Sequence, residues 1–409
     1  MTLTSDIRTV SVIGGGIAGP VAAMALQQAG IQATVYEAFD HSADGVGGGL
    51  SIAPNGLNAL GVIGLHDAVR GVGRTMDAMV LQSWTGKRLA EFGTPAGAEP
   101  VQFVLRGDLY RALYDEAAAR GIRIVHGKRI VGLYDGDDSV TAHFADGTAT
   151  TADLLVGADG IRSTVRSLID PAAPQPHYAG LVSVGGSIRN SGLPDTGGRM
   201  HMVFGKRAFF GYQVFDDGLA VWFANLPHSH PMTTAEAQAL GAEEWLRLLG
   251  EAFAKDRSPA LELLRRTASA DLVITGPMEN MPTVPTWSRG RTVLVGDSAH
   301  AASSSSGQGA SLAVESAVQL ARCLRDLPHR EALAAYEQLR RPRVERVIAA
   351  AARTNGNKAA GPLGRVLRDL TMPLAMKVVK PEKMAWQYGY RIDWDAPAGQ
   401  SARTVQTAH

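Results

Sequence analysis

The chain alternates between short β-branched runs and longer stretches with helical spacing. Thr9 to Ile13 is a five-residue apolar run that breaks into glycines, an alanine-rich helical stretch follows to Gln28, and a second strand runs from Ala33 to Tyr36. Val104 to Gly121 places Leu109, Leu113 and Ala117 on one helical face, with Asp108 near its start. Two Asp-Gly turns, Asp135-Gly136 and Asp146-Gly147, separate alternating strands and predict a small β-meander. The meander leads into a buried strand ending at Gly157 and then a helix expected to carry Arg162 and Arg166. Residues 179–270 read differently: strand-like runs separated by Gly and Asp-Gly turns, then a helix around Glu243 to Phe253. A last strand, Arg291 to Val295, precedes a helix with Ala313, Ala317, Leu320, Leu324 and Leu327 on its apolar face. Strand-helix-strand units flanking a block of strands predict an α/β protein with a Rossmann-like part, an inserted β-sheet layer and C-terminal helices.

Composition narrows the functional classes. A chain of 409 residues is long for one core, so two domains or one α/β body with an inserted layer is expected. With 45% hydrophobic and 19% charged residues it has the balance of an ordinary globular enzyme. Forty Lys plus Arg against 39 Asp plus Glu leave a formal charge of +1 with no basic block, which argues against nucleic acid and against an anionic membrane surface. No apolar run approaches the roughly 20 residues that span a bilayer. The single cysteine, Cys323, forms no intramolecular disulfide, and no secretory stretch precedes Thr9, so a cytoplasmic location is expected.

Chemistry enters at the glycines. Gly14, Gly16 and Gly19 form G-x-G-x-x-G between strand and helix, and Glu37 ends the second strand. The glycines permit a tight turn, close approach of a pyrophosphate and close helix packing, and the helix N-terminus offers free N–H groups. Glu37 is placed to accept hydrogen bonds from ribose hydroxyls, an arrangement that NAD and FAD both satisfy. Far downstream, "VGDSAHAASSSSGQGASLAVESA" carries Asp297 at the end of a strand and Gly-Gln-Gly at the start of a helix. The backbone N–H groups of Gly309 and Ala310 suit a site where negative charge collects. His300 lacks a second ligand at metal spacing and reads as a structural hydrogen-bonding residue.

Together, "GGGIAG" with Glu37, "GADGIRSTVR" and "GRTVLVGDSAH...GQGASLAVESA" resemble the three fingerprints of single-component FAD-dependent monooxygenases with the para-hydroxybenzoate hydroxylase fold, from about residue 8 to 345. The resemblance implies that Gly14, Gly16, Ile17, Ala18, Gly19 and Glu37 hold the adenosine diphosphate part of FAD. It implies that Arg106 contacts the cofactor, Asp159 organises the pyrophosphate region, Asp297 binds the ribityl chain, and Gly307, Gly309, Ala310 and Ser311 lie under the flavin ring. It divides the chain into an FAD-binding domain (1–70, 101–178, 271–350), a substrate sheet (71–100, 179–270), a C-terminal helical region (351–395) and a disordered tail (396–409).

Function follows as an expectation from that resemblance. NADPH or NADH binds transiently, since no second G-x-G-x-x-G follows a strand, and reduces FAD. Dioxygen then yields a flavin C4a-hydroperoxide that hydroxylates or epoxidises an electron-rich aromatic or polyketide-like small molecule. Tyr212 and His201 are the catalytic candidates, with Phe210, Trp222 and Phe223 as further pocket residues. The partners are the small-molecule substrate and dioxygen, in a monomer or homodimer. The alternative class is an FAD-dependent oxidase or dehydrogenase, or a flavin-binding protein without oxygen transfer. One departure bears on that choice: the family's loop proline is replaced by Ser303, Ser304, Ser305 and Ser306, read either as a neutral path fixed by the glycines or as a looser loop that weakens oxygen transfer.

Overall fold

A computed structural model describes residues 6–41, 48–94, 97–303, 306–355, 362–378 and 385–399. Its first layer is a six-stranded sheet in the order Ser288–Arg289, Thr292–Leu294, Leu154–Gly157, Thr9–Ile13, Gln32–Tyr36, Arg123–Val125. All neighbours are parallel except the first pair. Both faces are covered, which is why its central strands are continuous apolar runs rather than alternating ones. The helix Ala18–Gln28 is buried from Ala18 to Leu26 and packs against the helix Gly309–Asp326. Small residues allow that approach: at Gly296, φ +63°, an added Cβ would sit 3.0 Å from Ala18 and 3.2 Å from Ala313.

The expected meander is present as Ile130–Asp135, Val140–Phe144 and Ala149–Ala152, antiparallel throughout. It docks on the parallel sheet through Tyr36, whose ring lies 5.1 Å from that of Phe144 and whose hydroxyl meets Thr150 at 2.8 Å.

The second large sheet has seven strands, in the order Leu272–Asn280, His177–Ile188, Ala220–Pro227, Phe209–Val214, Arg199–Phe204, Ala78–Ser83, Arg88–Gly93. One face packs on the helices Gly241–Phe253 and Ala260–Arg266 through Trp245, Leu249, Phe253 and Leu263. The opposite face meets the strand Val101–Leu105, which runs directly into the helix Arg106–Ala119.

Several boundaries differ from the sequence reading. Leu272–Asn280 pairs along His177–Ile188, so the sheet passes the expected limit at residue 270. The strand Arg74–Met76 belongs instead to a three-stranded sheet with Val101–Leu105 and Gly49–Ile52. Arg162 precedes its helix, which Ser163 caps and which spans Thr164–Ile169. Residues 396–399 are pinned rather than loose: Ala398 N donates to Asp326 at 2.9 Å and Arg322 donates to Ala396 O at 3.1 Å. Residues 400–409 lie outside the described residues. Among the described residues no helix is long and apolar enough to cross a membrane.

Candidate active site

The site begins where Thr9–Ile13 ends. Gly14 has φ +110°, and a Cβ there would collide with Ala158 O, just past the end of the neighbouring strand. A Cβ at Gly19 would collide with Gly14 O. The loop is held from three sides: Gly14 N donates to Tyr36 O at 2.8 Å, Gly15 N donates to Glu37 Oε2 at 2.5 Å, and the Tyr114 hydroxyl donates to Gly15 O at 2.9 Å. Gly16 has open space where a side chain would stand. The helix Ala18–Gln28 then starts at Ile17 with no side-chain cap and no acidic residue in its first turn. An uncapped N-terminus beneath a glycine turn is an anion site.

Opposite it, Asp159 is committed to its own loop. Its carboxylate accepts from Ser163 Oγ at 2.5 Å and from Val165 N at 3.0 Å. Burial raises its pKa from the ordinary value, and these hydrogen bonds oppose that. Arg166, fully buried, donates to Ile161 O at 2.7 Å and to Ser298 O at 3.1 Å. It thereby ties the Asp159 loop to the single helical turn Asp297–His300, a connection that the sequence reading missed.

Asp297 opens that turn rather than ending the strand, which stops at Leu294. Its side chain is exposed to the cleft; the enclosing walls push its carboxyl up, countered by the Arg106 cation. Arg106 is the first residue of its helix and also faces open space, its guanidinium 5.6 Å from the Tyr110 ring. Both line a cavity of about 390 Å³ with Asp159, Gly160 and Arg162 on one side and Thr275, Pro277 and Glu279 of the second sheet on the other.

The helix Gly309–Asp326 contributes a second N-terminus with no side-chain cap and no acid in its first turn. Gly307 is exposed, and Gly309 and Ala310 are half-exposed. Ser311 does not join them: it is fully buried, and its hydroxyl accepts from Ala53 N at 3.0 Å under Gly56. Ser304 and Ser305 lie outside the described residues.

Behind this N-terminus lies a buried cluster without a local sequence signature. Glu315, fully buried, pairs with Arg340 at 2.6 Å and Arg343 at 2.8 Å and accepts from Asn55 at 2.6 Å; Asn55 also donates to Gln308 at 2.9 Å. The two arginines hold the Glu315 carboxyl below its ordinary value against the effect of burial. His300 is structural, as expected: it meets Ser316 Oγ at 2.8 Å, and burial drives its pKa down to about 3.

The two catalytic candidates lie on the helix-covered face of the second sheet. His201 and Tyr212 are paired across strands and stack at 4.9 Å. Tyr212 belongs to the cluster packed on the helices Gly241–Phe253 and Ala260–Arg266, with its pKa pushed up to about 12 by burial. His201 shares that face, bonds Gln82 at 3.3 Å, and is depressed by burial and by Arg199 and Arg88. Phe210 and Trp222 share it too. Of the sequence candidates only Phe223 points to the other face, between Gly211 and Gly185. Strand parity carries this information once the helix Gly241–Phe253 is assigned to one face.

The family model described as an FAD binding domain matches residues 8–190 and 277–351. The chain is 33% identical over 414 residues to 3-amino-4-hydroxybenzoate 2-monooxygenase PtmB3 of Streptomyces platensis, covering 98% of this chain and 100% of the relative. It is 31% identical to the aurachin C monooxygenase/isomerase of Stigmatella aurantiaca, over 83% of this chain and 87% of that one. Among solved structures, Klebsiella pneumoniae HpxO complexed with FAD and uric acid superposes with a TM-score of 0.80 at 23% identity, covering 98% and 97% of the two chains. The chain belongs to the FAD-binding family of class A flavin monooxygenases. It is an FAD-dependent monooxygenase by family.

Proposed function

We propose that the cleft between the parallel sheet and the second sheet holds FAD, and that the protein uses NADPH or NADH and dioxygen to oxygenate a small aromatic molecule. The observation that supports this most is that two helices with uncapped N-termini, at Ile17 and Gln308, both approach Gly296 through Ala18 and Ala313, next to Asp297, which with Arg106 is exposed and lines the cavity. The donor set fits the dinucleotide. Backbone N–H groups at Gly16, Ile17, Ala18 and Gly19 would meet the pyrophosphate, with Arg106 adding a cation. Glu37, at the end of its strand, would turn to the ribose, and Asp297 would accept from ribityl hydroxyls. The N–H groups of Gly309 and Ala310 would stabilise negative charge at the ring's edge. Asp159 would act through its loop, holding it against the turn that carries Asp297.

Bound FAD supplies two-electron redox chemistry and activation of dioxygen. The chain positions the substrate beside it and keeps water out, with Phe223 and its neighbours on the inner face of the second sheet. The test is direct: FAD-loaded protein is assayed for substrate-stimulated NAD(P)H oxidation under ¹⁸O₂. One labelled oxygen atom per NAD(P)H in the product is expected. Free peroxide accounting for all the NAD(P)H consumed, with no labelled product for any ligand that binds, overturns the oxygenation reading and leaves an oxidase.

A further inference from the structure

The inner face of the seven-stranded sheet is unlike its outer face in charge. Arg88, Glu91, Arg199 and His201 share the outer side through the registers Val80↔Glu91, Gln82↔Arg88 and His201↔Val80. The inner side carries the row Met202, Gly211, Phe223, Gly185, with no charged residue in it or in the rows of Gln213 and Asn225 that border it. Among the described residues two cations reach this side, both ion-paired: Arg74 lies 5.5 Å from the Phe215 ring centroid and pairs with Asp217 at 2.8 Å, and Arg368 of the C-terminal helix lies 4.4 Å from the Phe204 ring centroid and pairs with Asp369 at 2.9 Å.

Gly211 has a specific consequence. A Cβ there would collide with the Phe223 ring, so the glycine lets that ring lie flat along the sheet. Phe223 is half-buried, packed beside Leu89, Phe204 and Phe209 with part of its surface left open. A flat, partly open phenyl ring is a platform for offset stacking. Asn225, two residues along the same strand and face, is 3% exposed and makes no side-chain hydrogen bond to any described residue. Its cross-strand partner is Ser183, half-buried on the same face. On the other side of the platform, Gln213 is fully buried; its Nε2 donates to Thr75 O at 3.4 Å and its Oε1 has no partner.

We propose that this face selects a neutral, flat ring bearing a lactam or amide edge, stacked on Phe223 and hydrogen-bonded by Asn225. The proposal rests on the cleft being the oxygenation site and names its substrate class. Asn225 offers both a donor and an acceptor on one amide, the complement of a lactam's C=O and N–H. A buried amide left unpaired rejects a ring lacking that edge, and a carboxylate stacked on a row whose cations, Arg74 and Arg368, already have carboxylate partners loses its hydration uncompensated.

The test uses FAD-loaded protein and three matched bicyclic probes: 2-quinolone, quinoline and 2-naphthoate. Dissociation constants are read from perturbation of the flavin absorption spectrum and checked by calorimetry. 2-Quinolone is expected to bind about tenfold tighter than quinoline, with 2-naphthoate weakest. Asn225→Leu should erase the gap between 2-quinolone and quinoline, while Phe223→Leu should weaken both alike and keep the gap. Equal binding of 2-naphthoate and 2-quinolone, a gap that survives Asn225→Leu, or no binding of any probe overturns the proposal. The wild-type ranking decides the matter even where a variant does not fold. Failure of the protein to retain FAD is a separate result, against the cofactor site itself.

Discussion

The two halves of the cleft are specified in different ways. On the parallel-sheet side, each element that faces the cleft sits within a few residues of its own signal: Gly14 just past a strand end, Gly19 in the first turn of the helix that follows, Asp297 after Gly296, Gly309 at a helix start. On the side of the seven-stranded sheet, the residues that face the cleft are every second residue of strands far apart in sequence, and their neighbours face away. Local backbone chemistry writes a motif; a face of a sheet is written only by pairing. Substitutions on the first side should therefore act through backbone geometry and cofactor retention, and on the second side through which face they occupy.

The largest effect is expected at Gly19. A Val side chain there must displace Gly14 O, which lies in the turn itself and has no flexible side chain to give way. A backbone shift of this kind costs about 3 kcal/mol or more, or roughly two powers of ten in affinity. Gly19→Val should abolish FAD retention through gel filtration. A variant that stays yellow and fully loaded breaks the assignment of this turn to the pyrophosphate.

Next comes the contrast between two aspartates. Asp297 is exposed to the cleft, whereas Asp159 spends both carboxylate oxygens on Ser163 and Val165. Asp297→Ala should raise the FAD dissociation constant tenfold or more, about the loss of a hydrogen bond to a charged group. Asp159→Ala should mainly lower stability, by about 1 kcal/mol, through loss of the hydrogen bonds that its carboxylate accepts from Ser163, the helix N-cap, and from Val165 N. Equal dissociation constants, measured by fluorescence quenching on apoprotein, would contradict this ordering.

Much of the first side was readable from the chain. The strand Thr9–Ile13, the helix to Gln28 and the three motifs were all legible, because strand, turn and helix signals fall in register there. The cluster of Glu315, Arg340, Arg343 and Asn55 was not, since its members come from three helices and nothing in local sequence marks them as neighbours. Ser311 follows a glycine motif without sharing its direction: in the helix its hydroxyl turns toward Ala53, which residue spacing alone does not reveal. His201 and Tyr212 were chosen for chemical type before a face had been assigned.

A smaller effect is expected from His300, whose imidazole is held neutral with a pKa pushed down to about 3. The unfolded chain takes up a proton near the ordinary value of about 6.5 and the folded one does not. Stability from this group is thus complete above about pH 6.5 and falls as the pH drops toward 3, at up to about 1.4 kcal/mol per pH unit. His300→Gln should flatten that limb of a urea-denaturation profile while leaving its neutral plateau lower by a constant amount. An unchanged acid slope would mean that other groups set it.

The smallest effect is expected at Tyr212, and it sharpens the comparison most. Its ring packs between His201 and Phe210 on the helix-covered face, and burial places its hydroxyl ionisation at about 12. A phenol held there neither reaches the cleft nor changes charge near neutral pH. Tyr212→Phe keeps the ring and its packing and removes only the hydroxyl, so kcat/KM for any accepted substrate should stay within about twofold of wild type, well under 1 kcal/mol of transition-state stabilisation. The pH–rate profile should be superimposable. A drop of about a hundredfold, in a variant with unchanged FAD content and thermal stability, would place the hydroxyl in the reaction and reverse the assignment of faces on which the second side of the cleft is built.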